Sequence, residues 1–84
     1  GQAASLTETA AVALVQTAAN GVLTDTGATV DGVSVTVAAK TGGTYTAPSA
    51  GNTAGSVDVT LTITLALGTA ENVDLTISIP SSET

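Results

Sequence analysis

The stretch SVDVTLTITLAL, residues 56–67, alternates apolar and polar side chains without interruption. A period of two is the pattern of a β-strand that buries one face and exposes the other. The next stretch, GTAENVDLTISIP, residues 68–80, alternates in the same way after its first residues. The two stretches therefore predict a pair of long strands joined as a hairpin.

The register of this hairpin is predicted from the requirement that both apolar sets face one core. A slip of one residue would turn one whole set toward solvent. We expect a three-residue loop at residues 68–70. The expected pairs are Leu65–Val73, Ile63–Leu75, Leu61–Ile77 and Val59–Ile79.

The segment SLTETAAVALVQTAANG, residues 5–21, is the helical candidate. Ser5 and Glu8 have the spacing of a capping box, and Asn20–Gly21 is a typical stop. Apolar positions spaced as on one helix face lie between them: Ala11, Leu14, Val15 and Ala18. We predict a helix over about residues 6–19, and a strand over residues 11–15 is the competing interpretation.

Shorter strands are predicted around residues 22–24, 33–38 and 44–47, with turns at Asp31–Gly32 and Gly42–Gly43. Two long alternating strands, several short ones and frequent turn signals are typical of a β-sandwich. We expect a mainly β fold: a two-sheet β-sandwich with one short N-terminal helix. Residues 1–84 would form a single domain with its core at about 6–80, and residues 1–5 and 81–84 would be flexible ends or linker.

Charge and composition exclude several classes of function. The chain of 84 residues has one cationic side chain, Lys40, against seven acids, a net charge of −6. Nucleic acid and anionic membrane surfaces both require basic clusters. No apolar run approaches the roughly 20 residues of a spanning helix. The Thr-, Ser-, Gly- and Ala-rich composition favours an exported protein, and the two ends suggest a segment of a longer chain.

Candidate sites are few, because the chain has no His, Cys or Arg. The common catalytic triads and thiol nucleophiles are absent, so we expect no enzyme and no cofactor. Asp25 and Asp31 are weak calcium candidates, and the alternative is that they are solvated acids. Tyr45, the only aromatic residue, is either a binding platform for a sugar or peptide or a core residue.

Residues 22–37 and 42–80 resemble the bacterial immunoglobulin-like domains of surface proteins, especially the group called atrophied bacterial Ig domains. The matching places are a glycine-containing turn and strand at residues 32–37, a short strand with proline at 43–48, and two long strands at 55–67 and 72–80. The family usually carries Trp where this chain has Val37, so the central packing must differ.

The resemblance implies an immunoglobulin-like sandwich that acts as a spacer, stalk or adhesion-associated module of a secreted or wall-attached bacterial protein. Its partners would be neighbouring domains of the same chain. The alternative is a module that binds a cell-wall or host glycan or a protein through Tyr45 and the loop at residues 47–55. A third possibility is a subunit that assembles through exposed β edges.

Overall fold

The structure is a computed structural model and describes residues 1–29 and 31–84. Within these residues the chain is mainly β, with one helix and one antiparallel sheet of four strands. The elements are α1 Glu8–Thr26, β1 Ser34–Ala39, β2 Tyr45–Thr46, β3 Gly55–Thr64 and β4 Ala70–Ile79. The two-sheet sandwich is not confirmed, because the described strands belong to one sheet and α1 packs against its apolar face.

β3 is the central strand of the sheet. β4 pairs with it antiparallel along its full length on one side. On the other side β1 pairs with residues 59–64 and β2 pairs with Ser56 and Val57. Since β1 and β2 follow one another along the same side of β3, the sheet is three strands wide. Its outer strands are β4 on one side and β1, continued by β2, on the other.

The β3–β4 hairpin has the predicted faces but not the predicted register. Leu61 lies opposite Val73, whereas the sequence predicts Leu61 opposite Ile77. The connection covers residues 65–69 instead of 68–70, with the Gly68 N–H donating to the Leu65 carbonyl at 2.9 Å. Both registers keep the apolar side chains on one face, so burial alone does not distinguish them.

The polar face of the hairpin distinguishes the two registers. Three threonine hydroxyls donate across it to Asp or Asn side chains. The pairs are Thr60–Asp74 at 2.7 Å, Thr62–Asn72 at 3.0 Å and Thr76–Asp58 at 2.7 Å. In the predicted register Thr64 would lie opposite Asp74, the other polar pairs would join hydroxyls only, and Asp58 would lie opposite Pro80. Hydrogen bonds to an ionised carboxylate are roughly twice as strong as neutral ones, so the two bonds to Asp74 and Asp58 favour the observed register.

α1 begins later than the sequence predicts. Its N-cap is Thr7, which has an extended backbone and whose side-chain oxygen accepts the Ala10 N–H at 3.2 Å. The predicted capping box of Ser5 with Glu8 is therefore wrong. Glu8 instead occupies the first turn, where its negative charge interacts favourably with the helix dipole.

α1 also ends later, at Thr26, so the predicted stop at Asn20–Gly21 and the strand at residues 22–24 are wrong. The cap is Gly27, whose φ of 81° lies in the left-handed region that glycine tolerates. Leu23, in the two added turns, and Val33 of the following segment line one cavity of about 180 Å³. The C-terminal half of the helix therefore faces the segment that leads into β1.

The core lies between α1 and the covered face of the sheet. Val57 and Val59 of β3 have no exposed surface. The other buried apolar residues are Ala11, Val37 and Ile79. Of the predicted helical stripe, Ala11 and Val15 pack on this core. Leu14 remains 45% exposed, because α1 lies mainly over β1 and β3 rather than over β4.

The two ends of the chain lie side by side. The Gln2 N–H donates to the Pro80 carbonyl at 2.8 Å, and the Ser82 N–H donates to the Gln2 carbonyl at 2.9 Å. The Ala4 N–H also donates to the Glu83 carboxylate at 2.8 Å. The two terminal segments are thus hydrogen-bonded to one another, and their flexibility stays a prediction.

Candidate functional site

The two calcium candidates are both exposed. Asp25 lies in the last turn of α1, and Asp31 lies in the turn that follows. Across residues 1–29 and 31–84 there is no group of three or more acidic, His or Cys residues that could hold a metal ion. Calcium takes about six to eight oxygen ligands, so two carboxylates would supply part of one shell. The calcium site stays a prediction.

Tyr45 is half-buried and packs against the core from β2. Its hydroxyl donates a hydrogen bond to the carbonyl of Leu6, just before the N-cap of α1. The side chain therefore fastens the start of the helix to the sheet. The neighbouring loop is held by a bridge between Ser49 and Thr53, with Pro48 buried beneath it. This geometry favours the structural interpretation of Tyr45, and a binding role stays a prediction.

Asp58 connects three strands on the polar face of the sheet. Its carboxylate accepts the Thr44 N–H at 3.0 Å and the Thr76 hydroxyl at 2.7 Å. The backbone hydrogen bond from Thr44, followed by the hydroxyl of Thr76, holds the pKa of Asp58 below its ordinary value of 3.8. The charge of Lys40 acts in the same direction with a smaller effect. Asp58 thus ties the start of β2 and the middle of β4 to β3.

The outer edge of β1 is closed by a side chain of α1. In an antiparallel sheet, alternate residues direct their N–H and C=O groups to opposite sides of the strand. One outward group of Val35 and one of Val37 bond to Gln16. The Gln16 Nε2 donates to the Val35 carbonyl at 2.8 Å, and the Gln16 Oε1 accepts the Val37 N–H at 2.8 Å. A neighbouring strand would make the same two bonds, so Gln16 takes its place.

The outer edge of β4 has a different arrangement. The Leu65 N–H donates to the Thr69 carbonyl at 2.8 Å, which shows that odd-numbered positions of the hairpin face each other. The backbone groups of even-numbered β4 positions therefore point away from β3. These positions are Asn72, Asp74, Thr76 and Ser78, and all four are exposed. In the part of the chain that the structure describes, β3 is the only strand that pairs with β4.

An apolar groove of about 350 Å³ lies beside this free edge. Leu14 and Ala18 line it from α1, and Ile77 and Ile79 line it from β4. The apolar surface continues along β4 beyond the groove, where Val73 is 38% exposed and Leu75 is 41% exposed. The β4 edge, defined as the outward groups at positions 72–78 together with this groove, is our candidate site.

The β4 edge can bind another strand. Its backbone groups offer a row of donors and acceptors, and its groove accepts every second side chain of a strand laid along it. Gln16 is the residue that sequence analysis missed on the other edge. Its signal is a position four after Val12 and three before Ala19, which places a long polar side chain on the packed side of α1.

Comparison with known proteins finds no matching family model, no similar curated protein and no similar solved structure. No helix of the described residues is both long enough and apolar enough to cross a membrane. The function is therefore argued from the geometry of the chain itself.

Proposed function

We propose that the chain is a non-catalytic structural module of a larger bacterial extracellular or cell-surface protein. The observation that carries the proposal is that three of its polar side chains join elements of the fold to one another. Asp58 joins β2 and β4 to β3, Gln16 joins α1 to β1, and Tyr45 joins β2 to the segment before α1. These three polar side chains are thus committed to holding the fold together.

The arrangement of the ends bears on how such a module is attached. Gln2 and Ser81 are bridged as parallel neighbours. Because the two segments run in the same direction, chain that precedes Gln2 and chain that follows Ser81 would leave the pair in opposite directions. This supports a spacer linked head to tail with its neighbours, in preference to a module attached at one point.

The immunoglobulin-like relationship is part of the proposal and is supported by the strand pattern of residues 32–80. A two-sheet sandwich requires a second sheet on the apolar face of the first. In residues 1–29 and 31–84 this face carries α1. A crystal structure of the chain with its flanking residues tests the relationship, and a single sheet in that structure would contradict it.

Surface labelling tests the location. Antibodies raised against the purified chain are applied to intact and to lysed source cells, with a cytoplasmic protein as the control for leakage. We expect labelling of intact cells, and its removal by protease added outside. Labelling that appears only after lysis would contradict an extracellular module.

A tandem protein with two copies joined by a short linker tests the attachment. Each copy is 46 Å in its longest dimension. A linear stalk predicts a doubled maximum dimension in small-angle X-ray scattering, whereas attachment at one point predicts a shorter, branched shape.

The alternative, glycan or protein binding by Tyr45 and residues 47–55, is tested by two variants. Tyr45→Phe keeps the stacking ring and removes the hydroxyl, whereas Tyr45→Leu removes both. A stacking site would lose glycan-induced amide shifts only in the Leu variant. Under the structural interpretation neither the wild type nor Tyr45→Phe shows such shifts, and Tyr45→Phe loses about 1 kcal/mol of stability because the Leu6 carbonyl loses its donor.

A further inference from the structure

The free edge of β4 borders the apolar face of the sheet, which α1 covers only in part. Its outward backbone groups lie at four successive even-numbered positions, and its odd-numbered side chains belong to the apolar face. Beyond Ser78 the same line of outward groups is occupied, because Gln2 bonds to the Pro80 carbonyl and to the Ser82 N–H. A strand along positions 72–78 would therefore continue a row of bonds that the N-terminal segment has begun.

The side chains around this edge define what can occupy it. Every second residue of an added strand would lie on the apolar side, beside Leu75 and Ile77 and facing Leu14 of the helix. The residues in between would lie on the polar side, beside Asp74 and Thr76. The added strand must therefore alternate, with apolar side chains on one face only.

Charge selects among alternating strands. β4 carries two carboxylates, Glu71 and Asp74, and the whole chain has a net charge of −6 with one cation. Pairing two copies through β4 would bring these carboxylates together without a basic residue on either strand. Glu71 also lies on the apolar side of the edge, a position in which a charge discourages self-association. A second copy is thus disfavoured, and a basic strand is favoured.

We propose that the β4 edge binds an extended segment of a partner protein in which apolar residues alternate with Lys or Arg. The backbone of the segment pairs with Asn72, Asp74, Thr76 and Ser78, and its apolar side chains enter the groove between β4 and α1. Its basic side chains lie next to Asp74. The inference goes beyond the structural role proposed above and does not depend on where the parent protein is located.

The test is an NMR titration of the isotope-labelled chain with synthetic peptides of about eight residues, a typical strand length. One peptide alternates Val and Lys, a second alternates Val and Glu, and a third has the Val and Lys residues in two separate blocks. We expect the first peptide alone to shift the amide signals of positions 72–78 and of Leu14 and Ala18. Raising the salt concentration should weaken its binding.

Two variants tie the binding to the edge. Ser78→Pro removes an outward N–H, and Ser78→Ala, the matched control, keeps it. We expect at least about tenfold weaker binding for the Pro variant and unchanged binding for the Ala variant. Asp74→Lys should exchange the preference, so that the Val and Glu peptide binds and the Val and Lys peptide does not. This second variant keeps the proposal testable if Ser78→Pro does not fold.

Three results would overturn the proposal. Equal binding of the alternating and the block peptide would show that charge alone attracts them. Shifts confined to residues outside the β4 edge would place the contact elsewhere. Concentration-dependent dimerisation of the free chain, with changes at positions 72–78, would make a second copy the occupant. None of these results bears on surface labelling, so the two proposals fail independently.

Discussion

The two outer edges of the sheet, formed by β1 and β4, differ in how they are protected from pairing with an added strand. At β1, one side chain of α1 bonds to the outward groups of Val35 and Val37. At β4, the outward groups at positions 72–78 are exposed, and carboxylates at Glu71 and Asp74 accompany them. An edge whose groups are bonded to a side chain must break those bonds to pair with any strand, whereas a charged edge disfavours only strands of like charge. The difference teaches that β4 keeps its pairing capacity and restricts it by charge.

Proline substitutions in β4 should break this comparison most strongly. Leu75 faces β3, so Leu75→Pro removes a bond of the ladder and should cost about 3 kcal/mol or more. Ser78→Pro affects an outward group and should cost less than about 1 kcal/mol. Urea unfolding followed by circular dichroism measures both. Equal losses in the two variants would show that the outward positions of β4 are misassigned.

Removing the Gln16 amide from the edge of β1 should have the next largest effect on the free energy of unfolding. Gln16→Leu keeps the size of the side chain but leaves the Val35 carbonyl and the Val37 N–H without their partner. A buried polar group that loses its bond costs about 1–3 kcal/mol, so we expect a loss of about 2–4 kcal/mol for this half-buried pair. The variant should also self-associate, because its β1 edge becomes available.

Urea unfolding and sedimentation measure these two effects of Gln16→Leu. Thr17→Val is the control, since Thr17 is an exposed neighbour whose hydroxyl bonds only within α1. It should change stability by less than about 0.5 kcal/mol. If Gln16→Leu unfolds at the same urea concentration as the wild type and stays monomeric, Gln16 does not protect the edge.

Sequence alone was enough to predict the long strands and the face that each buries, because alternation in residues 56–67 and 73–79 admits one interior side. It did not predict the register, since shifts by an even number of residues leave the same side chains inside. The information was present on the polar face, where Thr62 lies opposite Asn72.

The layers of the fold were predicted less well than its strands. Asn20–Gly21 has the composition of a helix stop, yet α1 continues through it to the cap at Gly27, at a cost of about 1 kcal/mol for a glycine within a helix. The longer helix then covers the face that a second sheet would need. An exposed β edge is anticipated from the sequence, but its position at β4 is not, because a free edge depends on which strands pair.

A double-mutant cycle on Thr62 and Asn72 tests the register in which β4 pairs with β3. Thr62→Val and Asn72→Ala remove one neutral cross-strand hydrogen bond of 3.0 Å. We expect a coupling energy of about 0.2–1 kcal/mol in urea unfolding. Thr62 with Thr76 is the control pair, since these residues would be opposite only in the register predicted from apolar packing. Coupling in the control pair would favour that register.

The acid dependence of stability is expected to give the smallest effect, and it concerns Asp58, which ties both sides of the sheet to β3. Its pKa is lowered in the folded state, so its stabilising contribution is complete above the unfolded pKa of about 3.8. The contribution is lost as the pH falls through the lower folded pKa. The urea midpoint of the wild type should therefore decrease below about pH 4.

In Asp58→Asn the urea midpoint should decrease less below about pH 4, because the asparagine side chain does not titrate in that range. Asp74→Asn is the matched control, since Asp74 lies on the same face of the sheet and accepts a single hydroxyl, from Thr60. Both variants remove one negative charge, so relief of general repulsion is the same in each. If the two variants lose stability in parallel with the wild type on acidification, Asp58 does not hold the strands together through its charge. The strands would then be joined to β3 by backbone pairing and by neutral side-chain bonds such as that of Thr62 with Asn72.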